Sequence, residues 1–512
     1  MTMSSSENTH HFPRTYWREI ELPTFDKLNQ DITVDVAIVG AGITGITAAY
    51  LLAKDGVKVA LIEAGGVLNG TTGHTTAKLT AQHELIYDKL ISHFGEEKAK
   101  HYFESASNAI NFVENTSKEK GIDCDFSKQD AFVYATTEQY ERKLETEFSA
   151  YKKLGIDGDL VGNIPFDIQI KSALLMRNQA QYHPLKFLKG LLDEAVKAGC
   201  QVYENSVAGG IEDVESTQPK VKIKGGHKVS CKHVIIASHF PFYDKPGLYF
   251  ARMYADRSYA IGIKTDKPYP GGMYISADSP SRSIRYTPID GGNLLILGGE
   301  NHKTGQGVDT LSHYLALESF AKEVFDLSEY HYRWSAQDLV TLDNVPYIGP
   351  LTANKENILV ATGYKKWGMT TGILAAHLLT DYVLNRDNPY RELYSPSRFD
   401  ADPDIKSIIS TNADVAKHLL KGKLEFVPKD PGDLKNGEGS VVMHNGERAG
   451  AYKDENGKLY IVDTTCTHLG CETEWNHAEK SWDCPCHGSR FSYAGDVIEG
   501  PAKKPLKNVG EQ

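Results

Sequence analysis

Four of the chain's seven cysteines, Cys466, Cys471, Cys484 and Cys486, crowd into a stretch of 21 residues and share it with two histidines. The residues form two boxes, Cys466-Thr-His468-Leu-Gly-Cys471 and Cys484-Pro-Cys486-His487-Gly-Ser489. Thiols at this density call for a ligand set or a cross-link. Each box brings one Cys and one His, as C-x-H and C-x-x-H. Two thiolates on one iron and two imidazoles on the other is the donor set of a histidine-ligated [2Fe–2S] centre. A Cys₂His₂ zinc site is the alternative. Zinc fingers, however, pair Cys with Cys and His with His at helical spacing, and zinc leaves one further cysteine per box unexplained. Cys124, Cys200 and Cys231 stand alone and read as buried, inert thiols.

Both boxes, with the later FSYAGDVIEGPAKKPL, closely resemble the disulfide-containing Rieske family of cytochrome bc and bf complexes. The resemblance implies that Cys466, His468, Cys484 and His487 are the ligands and that Cys471 and Cys486 are bonded across the boxes. It also implies a small all-β domain, taken as 421–512. A bond closing a loop of about 15 residues contributes roughly 3 kcal/mol through chain entropy. Such a cluster moves one electron at a time and is a relay. The 25 residues after His487 leave no room for a mononuclear-iron domain, so an oxygenase is not expected.

At the other end, VDVAIV reads as a strand, Gly40-Ala-Gly42-Ile-Thr-Gly45 as a tight turn, 44–55 as a helix, and VKVALIE as a second strand ending at Glu63. A lone GxGxxG is weak, and a structural glycine turn is its bland alternative. In this context the glycines let backbone approach a pyrophosphate at a helix N-terminus, and Glu63 is placed for ribose hydroxyls. The run Val34–Ala53 is long enough to cross a membrane, but Asp35 and the glycines break it into strand, turn and helix.

Beyond the fingerprint, about residues 14–395 resemble the D-amino-acid oxidase-like family of FAD oxidoreductases. The stretches that carry this are QYHPLKFLKGLLDEAVKAGCQVYENSVAGGI, TLDNVPYIGP and NILVATGYKKWGMTTGILAA. The resemblance implies FAD contacts at Val207 on the adenine side and at Gly363, Gly368 and Gly372 along the flavin ring, with Thr370 also among the cofactor-binding residues. The loop after Glu63 departs from the family pattern. In Gly70-Thr-Thr-Gly-His-Thr-Thr-Ala-Lys78 the hydroxyls of Thr71 and Thr72 suit phosphate oxygens, and His74 suits a hydrogen bond more than a covalent flavin link. No second GxGxxG follows a strand, so the flavin is expected to be reduced by an organic substrate directly.

The expected fold class is α/β: a Rossmann-like FAD-binding domain with a mixed-sheet substrate domain, then the small all-β Rieske domain. The expected partition is an N-terminal segment 1–33, an oxidoreductase 34–395, a linker 396–420 inside the polar, proline-containing stretch 385–412, and the Rieske domain. FAD-binding parts are placed at about 34–85, 184–245 and 335–390, and substrate-domain parts at about 120–183 and 246–334. Candidates near the substrate are Arg252, Tyr254, Arg285, Tyr286, Lys366 and Trp367. A net charge of −11 with no basic face argues against nucleic acid. With no apolar leader at the N-terminus, a cytoplasmic location is expected. The expected function is a dehydrogenase that oxidises a small amine or amino acid and passes electrons through the cluster to an unknown acceptor. An O₂-using oxidase with the cluster for docking or sensing, and a non-catalytic electron-transfer protein, stay open.

Overall fold

The computed structural model describes residues 14–307, 309–327, 330–398, 415, 419 and 429–510. Four short apolar runs, Val36–Val39, Val59–Ile62, His233–Ile236 and Ile358–Thr362, are strands of one six-stranded sheet. Nearly every residue in them is buried, as befits strands covered on both faces. The sheet order is 347–350, 358–362, 233–236, 36–39, 59–62, 201–203, all parallel except the first strand. Helices Ile43–Lys54, Pro184–Lys197 and Gly368–Val383 pack together beside it. Pro184 opens its helix, and the His183 side chain accepts from the Lys186 amide. Tyr87–Lys120 forms a long helix that breaks at Gly95, where φ is 84°.

A second, nine-stranded mixed sheet lies beyond. Its edge runs Tyr332–Thr341, Met253–Thr265, Gly292–Lys303, Arg282–Ile289 in antiparallel order. The last two form a hairpin at Ile-Asp-Gly-Gly, with Ile289 paired to Gly292 across Asp290-Gly291.

The C-terminal part consists of two small antiparallel sheets. One holds Gly439–His444, Glu447–Lys453 and Leu459–Val462, and the other Glu474–Asn476, Ser481–Asp483, Arg490–Ser492 and Val497–Glu499. Trp482, Phe491, Val462 and Leu506 form their core with the four cysteines of the boxes. The polar stretch 385–412 begins packed onto the flavoprotein part. Leu393 and Tyr394 are buried, and Arg398 donates to both Asp343 carboxylate oxygens at 2.7 and 2.9 Å. The rest of that stretch, and most of the expected linker 396–420, lies outside the described residues. Among the described residues no helix is long and apolar enough to cross a membrane.

Candidate functional site

A cavity of about 670 Å³ opens at the C-terminal ends of the parallel strands, and the glycine turn forms part of its wall. Gly40 has φ of 110°, and a Cβ there would sit 2.4 Å from the Ala237 carbonyl oxygen. A Cβ on Gly45 would sit 1.8 Å from the Gly40 carbonyl oxygen, so the third glycine brings helix against strand and does not itself line the cavity. Gly42 caps the helix and lines the cavity. Glu63 lines it too, but its carboxylate also braces the turn by accepting from the Ala41 amide at 2.8 Å and the Gly65 amide at 2.9 Å. Thr72 Oγ1 accepts from the Ile43 amide at 3.1 Å, and Thr71 lies beside it in the wall.

Val207, Gly363 and Gly368 line the cavity as expected, the last opening the helix Gly368–Val383. Thr370 does not line it. Its hydroxyl is buried against the Thr80 carbonyl at 2.9 Å. His74 lines the wall with Nδ1 2.9 Å from the Gly70 carbonyl, and burial lowers its pKa.

The substrate candidates separate. Lys366 and Trp367 line the cavity, Lys366 Nζ 3.5 Å from Asp256 and Trp367 stacked on His83 with ring centroids 4.8 Å apart. Arg252 instead donates to the Pro396 carbonyl and lies over the Tyr347 ring. Tyr286 packs on Tyr269 and receives a long bond from Gln129, while Arg285 is fully buried on the Thr76 and Tyr286 carbonyls. Tyr254 is raised to about 12 by burial and lies near Lys303. Sequence reasoning passed over Asp338, which lines the cavity and which burial lifts to about 7. The available signal was an acid in the apolar alternation of its strand. Lys78 also lines the cavity, and burial lowers it to about 7.

The two cysteine boxes are the loops after Leu459–Val462 and Ser481–Asp483. Each loop is turned by its own backbone: Gly470 N donates to Cys466 O at 2.9 Å, and Gly488 N to Cys484 O at 3.0 Å. Cys471 and Cys486 form a disulfide across the loops, with Cα atoms 6.5 Å apart. That leaves Cys466 and Cys484 as buried free thiols, hydrogen-bonded to each other. The bond between them lowers the Cys466 thiol and raises that of Cys484, so that the first proton leaves the pair more readily than the second. The His468 and His487 rings lie 5.0 Å apart and nearly perpendicular. Burial lowers both to about 4, which keeps them neutral, and the buried His468 Nδ1 has no partner. Two adjacent free thiols, two neutral imidazoles and an orphaned ring nitrogen are the donors a His₂Cys₂ [2Fe–2S] cluster requires. The disulfide accounts for the two cysteines that zinc left unexplained.

The loops sit against the edge of the nine-stranded sheet. Gln337 Nε2 donates to Gly488 O at 2.9 Å, and a Cβ on Gly488 would meet the Ala255 side chain at 2.2 Å. The Phe250 ring stands edge-on to both His468 and His487, at 5.6 and 5.5 Å. Arg257 pairs with Glu499 at 3.5 Å, and Tyr314 donates to Glu479 at 2.9 Å. Side chains alternate along a strand. Ala255 and Arg257 thus meet the C-terminal part, while Asp256 between them faces Lys366 in the cavity. Together the strands Met253–Thr265 and Tyr332–Thr341 touch both the cluster loop and a residue of the cavity wall. Residues 497–503 of the C-terminal part also form cavity wall.

Comparison with known proteins agrees with both sites. Residues 35–382 match the family model described as FAD dependent oxidoreductase, and residues 426–510 match that of the Rieske [2Fe-2S] domain. The chain is 51% identical to the "Putative Rieske 2Fe-2S iron-sulfur protein YhfW" of Bacillus subtilis (strain 168), over 99% of both chains. It is 26% identical to gamma-glutamylputrescine oxidoreductase of Escherichia coli (strain K12), over 70% of this chain and 85% of that one. Among solved structures, glycine oxidase from Geobacillus kaustophilus shares the fold with a TM-score of 0.62 at 19% identity, over 72% of this chain and 99% of that chain. The chain is therefore a member of the FAD-dependent oxidoreductase family that carries a C-terminal Rieske [2Fe–2S] domain, and FAD and the cluster are its cofactors.

Proposed function

We propose that the protein is a dehydrogenase of a small amine or amino acid whose electrons leave through the Rieske domain to a separate acceptor. When bound, FAD supplies a hydride acceptor, and the cluster supplies a one-electron carrier of higher potential than plant-type ferredoxins. Cys466, Cys484, His468 and His487 are the proposed cluster ligands. Gly40, Gly42, Glu63, Thr71, Thr72, Val207, Gly363 and Gly368 are the proposed wall of the FAD site.

The observation that carries the reading is that the strands Met253–Thr265 and Tyr332–Thr341 meet both the cluster loop and the cavity. Gly488, next to His487, is seated on Ala255 and Gln337, so the histidine edge of the domain faces the flavoprotein part. The Phe250 ring stands beside both histidine rings at that edge. The names of gamma-glutamylputrescine oxidoreductase and glycine oxidase support a nitrogen-bearing substrate. A cavity with charged side chains in its wall fits the chemistry this requires.

The test is an anaerobic screen of amines and amino acids in which flavin absorbance is followed. A substrate of the right class bleaches the flavin in a single turnover. His487→Ala is expected to leave that bleaching intact and to slow steady reduction of a one-electron acceptor by a hundredfold or more. If no amine or amino acid bleaches the wild-type flavin, the substrate class is wrong. If the variant reduces the acceptor at the wild-type rate, the cluster is off the electron path.

A further inference from the structure

The sheet face turned toward the cavity carries two opposed carboxyl groups. Asp256 and Asp338 are directly paired residues of the antiparallel strands Met253–Thr265 and Tyr332–Thr341. Both side chains therefore leave the sheet on the same side, with Cβ atoms about 5 Å apart. Their surroundings differ. Asp256 is buried, accepts from Asn301 Nδ2 at 3.2 Å and lies 3.5 Å from Lys366 Nζ. Asp338 lines the cavity, and among the described residues its carboxyl has no hydrogen bond and no ion pair.

Like charges directly opposite on neighbouring strands repel. Lys366 pairs with Asp256 and is the cation that acts most strongly on Asp338, on which Glu499 and Arg257 act with opposite signs. Lys365 is occupied by Glu84 at 2.7 Å. With all these groups ionised, the Asp256–Asp338–Lys366 cluster keeps one negative charge in a site where burial penalises charge. Burial raises the Asp338 carboxyl to about 7, with Lys366 opposing the rise and Asp256 adding to it. A carboxyl held this way, without a protein partner and open to a cavity, gains most from a cation that enters the cavity.

We infer that Asp338 is the group that recognises the substrate, which enters as an alkylammonium ion, with Asp256 and Lys366 as positioning residues behind it. The inference deepens the dehydrogenase reading and rests on it. It narrows the substrate to amines without a carboxylate beside the nitrogen, because such a carboxylate would face the two acids. Lys78, Lys224 and Lys503, elsewhere in the wall, are the cations that would attract an anionic substrate instead.

Two probes of the same shape and opposite charge decide this. Neither tert-butylammonium, which has no hydrogen on the carbon bearing nitrogen, nor pivalate can be turned over by hydride loss. Each is titrated into oxidised holoenzyme by calorimetry and by perturbation of the flavin spectrum. Tert-butylammonium is expected to bind at least tenfold more tightly than pivalate. Asp338→Asn should weaken the cation at least tenfold at unchanged flavin content. Lys366→Gln should tighten it several-fold, since two acids then face a single cation. Asp338→Glu separates charge from structure: it should retain cation binding where Asn loses it. Tighter binding of pivalate, or equal affinity of wild type and Asp338→Asn for the cation, overturns the inference. The outcomes also separate the two readings. Amines that bleach the flavin equally in wild type and Asp338→Asn leave the dehydrogenase standing and remove Asp338. Cation binding that depends on Asp338, with no amine bleaching the flavin, removes the dehydrogenase instead.

Discussion

The cavity wall at Gly40 and the loops at Cys466 and Cys484 both receive a group the chain does not make, and they keep their shape by different means. The cavity is shaped by what is missing. Glycines at 40 and 45 let the backbone come within contact of Ala237 and of itself, and Glu63 ties the turn down through two amides. The cluster loops are shaped by what is added. A covalent bond joins them, and the strands at their base hold Asp483, Arg490 and Glu499 in one buried charge network. Steric shape of the first kind fails abruptly when a single methyl is inserted. Cross-linking of the second kind fails by degrees, because the donors remain when the link is cut.

Three measurements press on that contrast. Gly40→Ala should have the largest effect. A methyl 2.4 Å from the Ala237 oxygen, at φ of 110°, cannot be accommodated without moving the turn. The isolated variant is expected to lack nearly all its flavin and to keep its iron, read by visible absorbance and metal analysis. Full flavin content in the variant would break the steric account.

Cys471→Ser should be milder. The free thiols of Cys466 and Cys484 survive, and the C-terminal domain loses about 3 kcal/mol for a bond closing a loop of this length. Iron release in denaturant should start at lower concentration, with iron content at rest near that of wild type. Complete loss of iron at rest would mean that the disulfide, and not the donor set, holds the site together.

Glu84→Gln should be the smallest. Burial pushes Glu84 up, but Lys365 and Lys366 outweigh it and hold the carboxyl at about 2, against 4.5 ordinarily. A depressed acid stabilises the fold fully above about pH 4.5, and that contribution disappears as pH falls through about 2. The shift sets an upper bound of about 3.4 kcal/mol at neutral pH, which solvent at the exposed quarter of the side chain screens to well below that. The gap in denaturant midpoint between wild type and Glu84→Gln should therefore be widest near pH 7 and narrower at pH 3.5. A gap that widens on acidification would contradict the sign.

The residues that make up each site were readable in the sequence because each requirement is local. A turn that must admit backbone needs glycine within a few positions of a strand and a helix, and a cluster needs thiols and imidazoles in two short boxes. Thr370 shows the limit of that reasoning. It lies two residues past Gly368 in the flavin-loop sequence, yet the turn of the helix directs its hydroxyl to the Thr80 carbonyl. Arg252 and Tyr286 fit a substrate-domain pattern but were claimed by Pro396 and Tyr269, partners far away in sequence.

What tertiary structure alone decided is which groups face each other. The pairing of Asp256 with Asp338 depends on the register of two strands separated by the intervening hairpin and the helix Thr310–Phe325. A slip of one residue would move Asp338 to the opposite face of the sheet and take it off Asp256. Likewise the boxes announce a cluster, but only packing sets Gly488 on Ala255 and Phe250 beside both histidines. Donor chemistry is written in residue type and short spacing. Charge opposition and the meeting of two domains come from contacts between residues far apart in the chain, and side-chain type alone does not encode them.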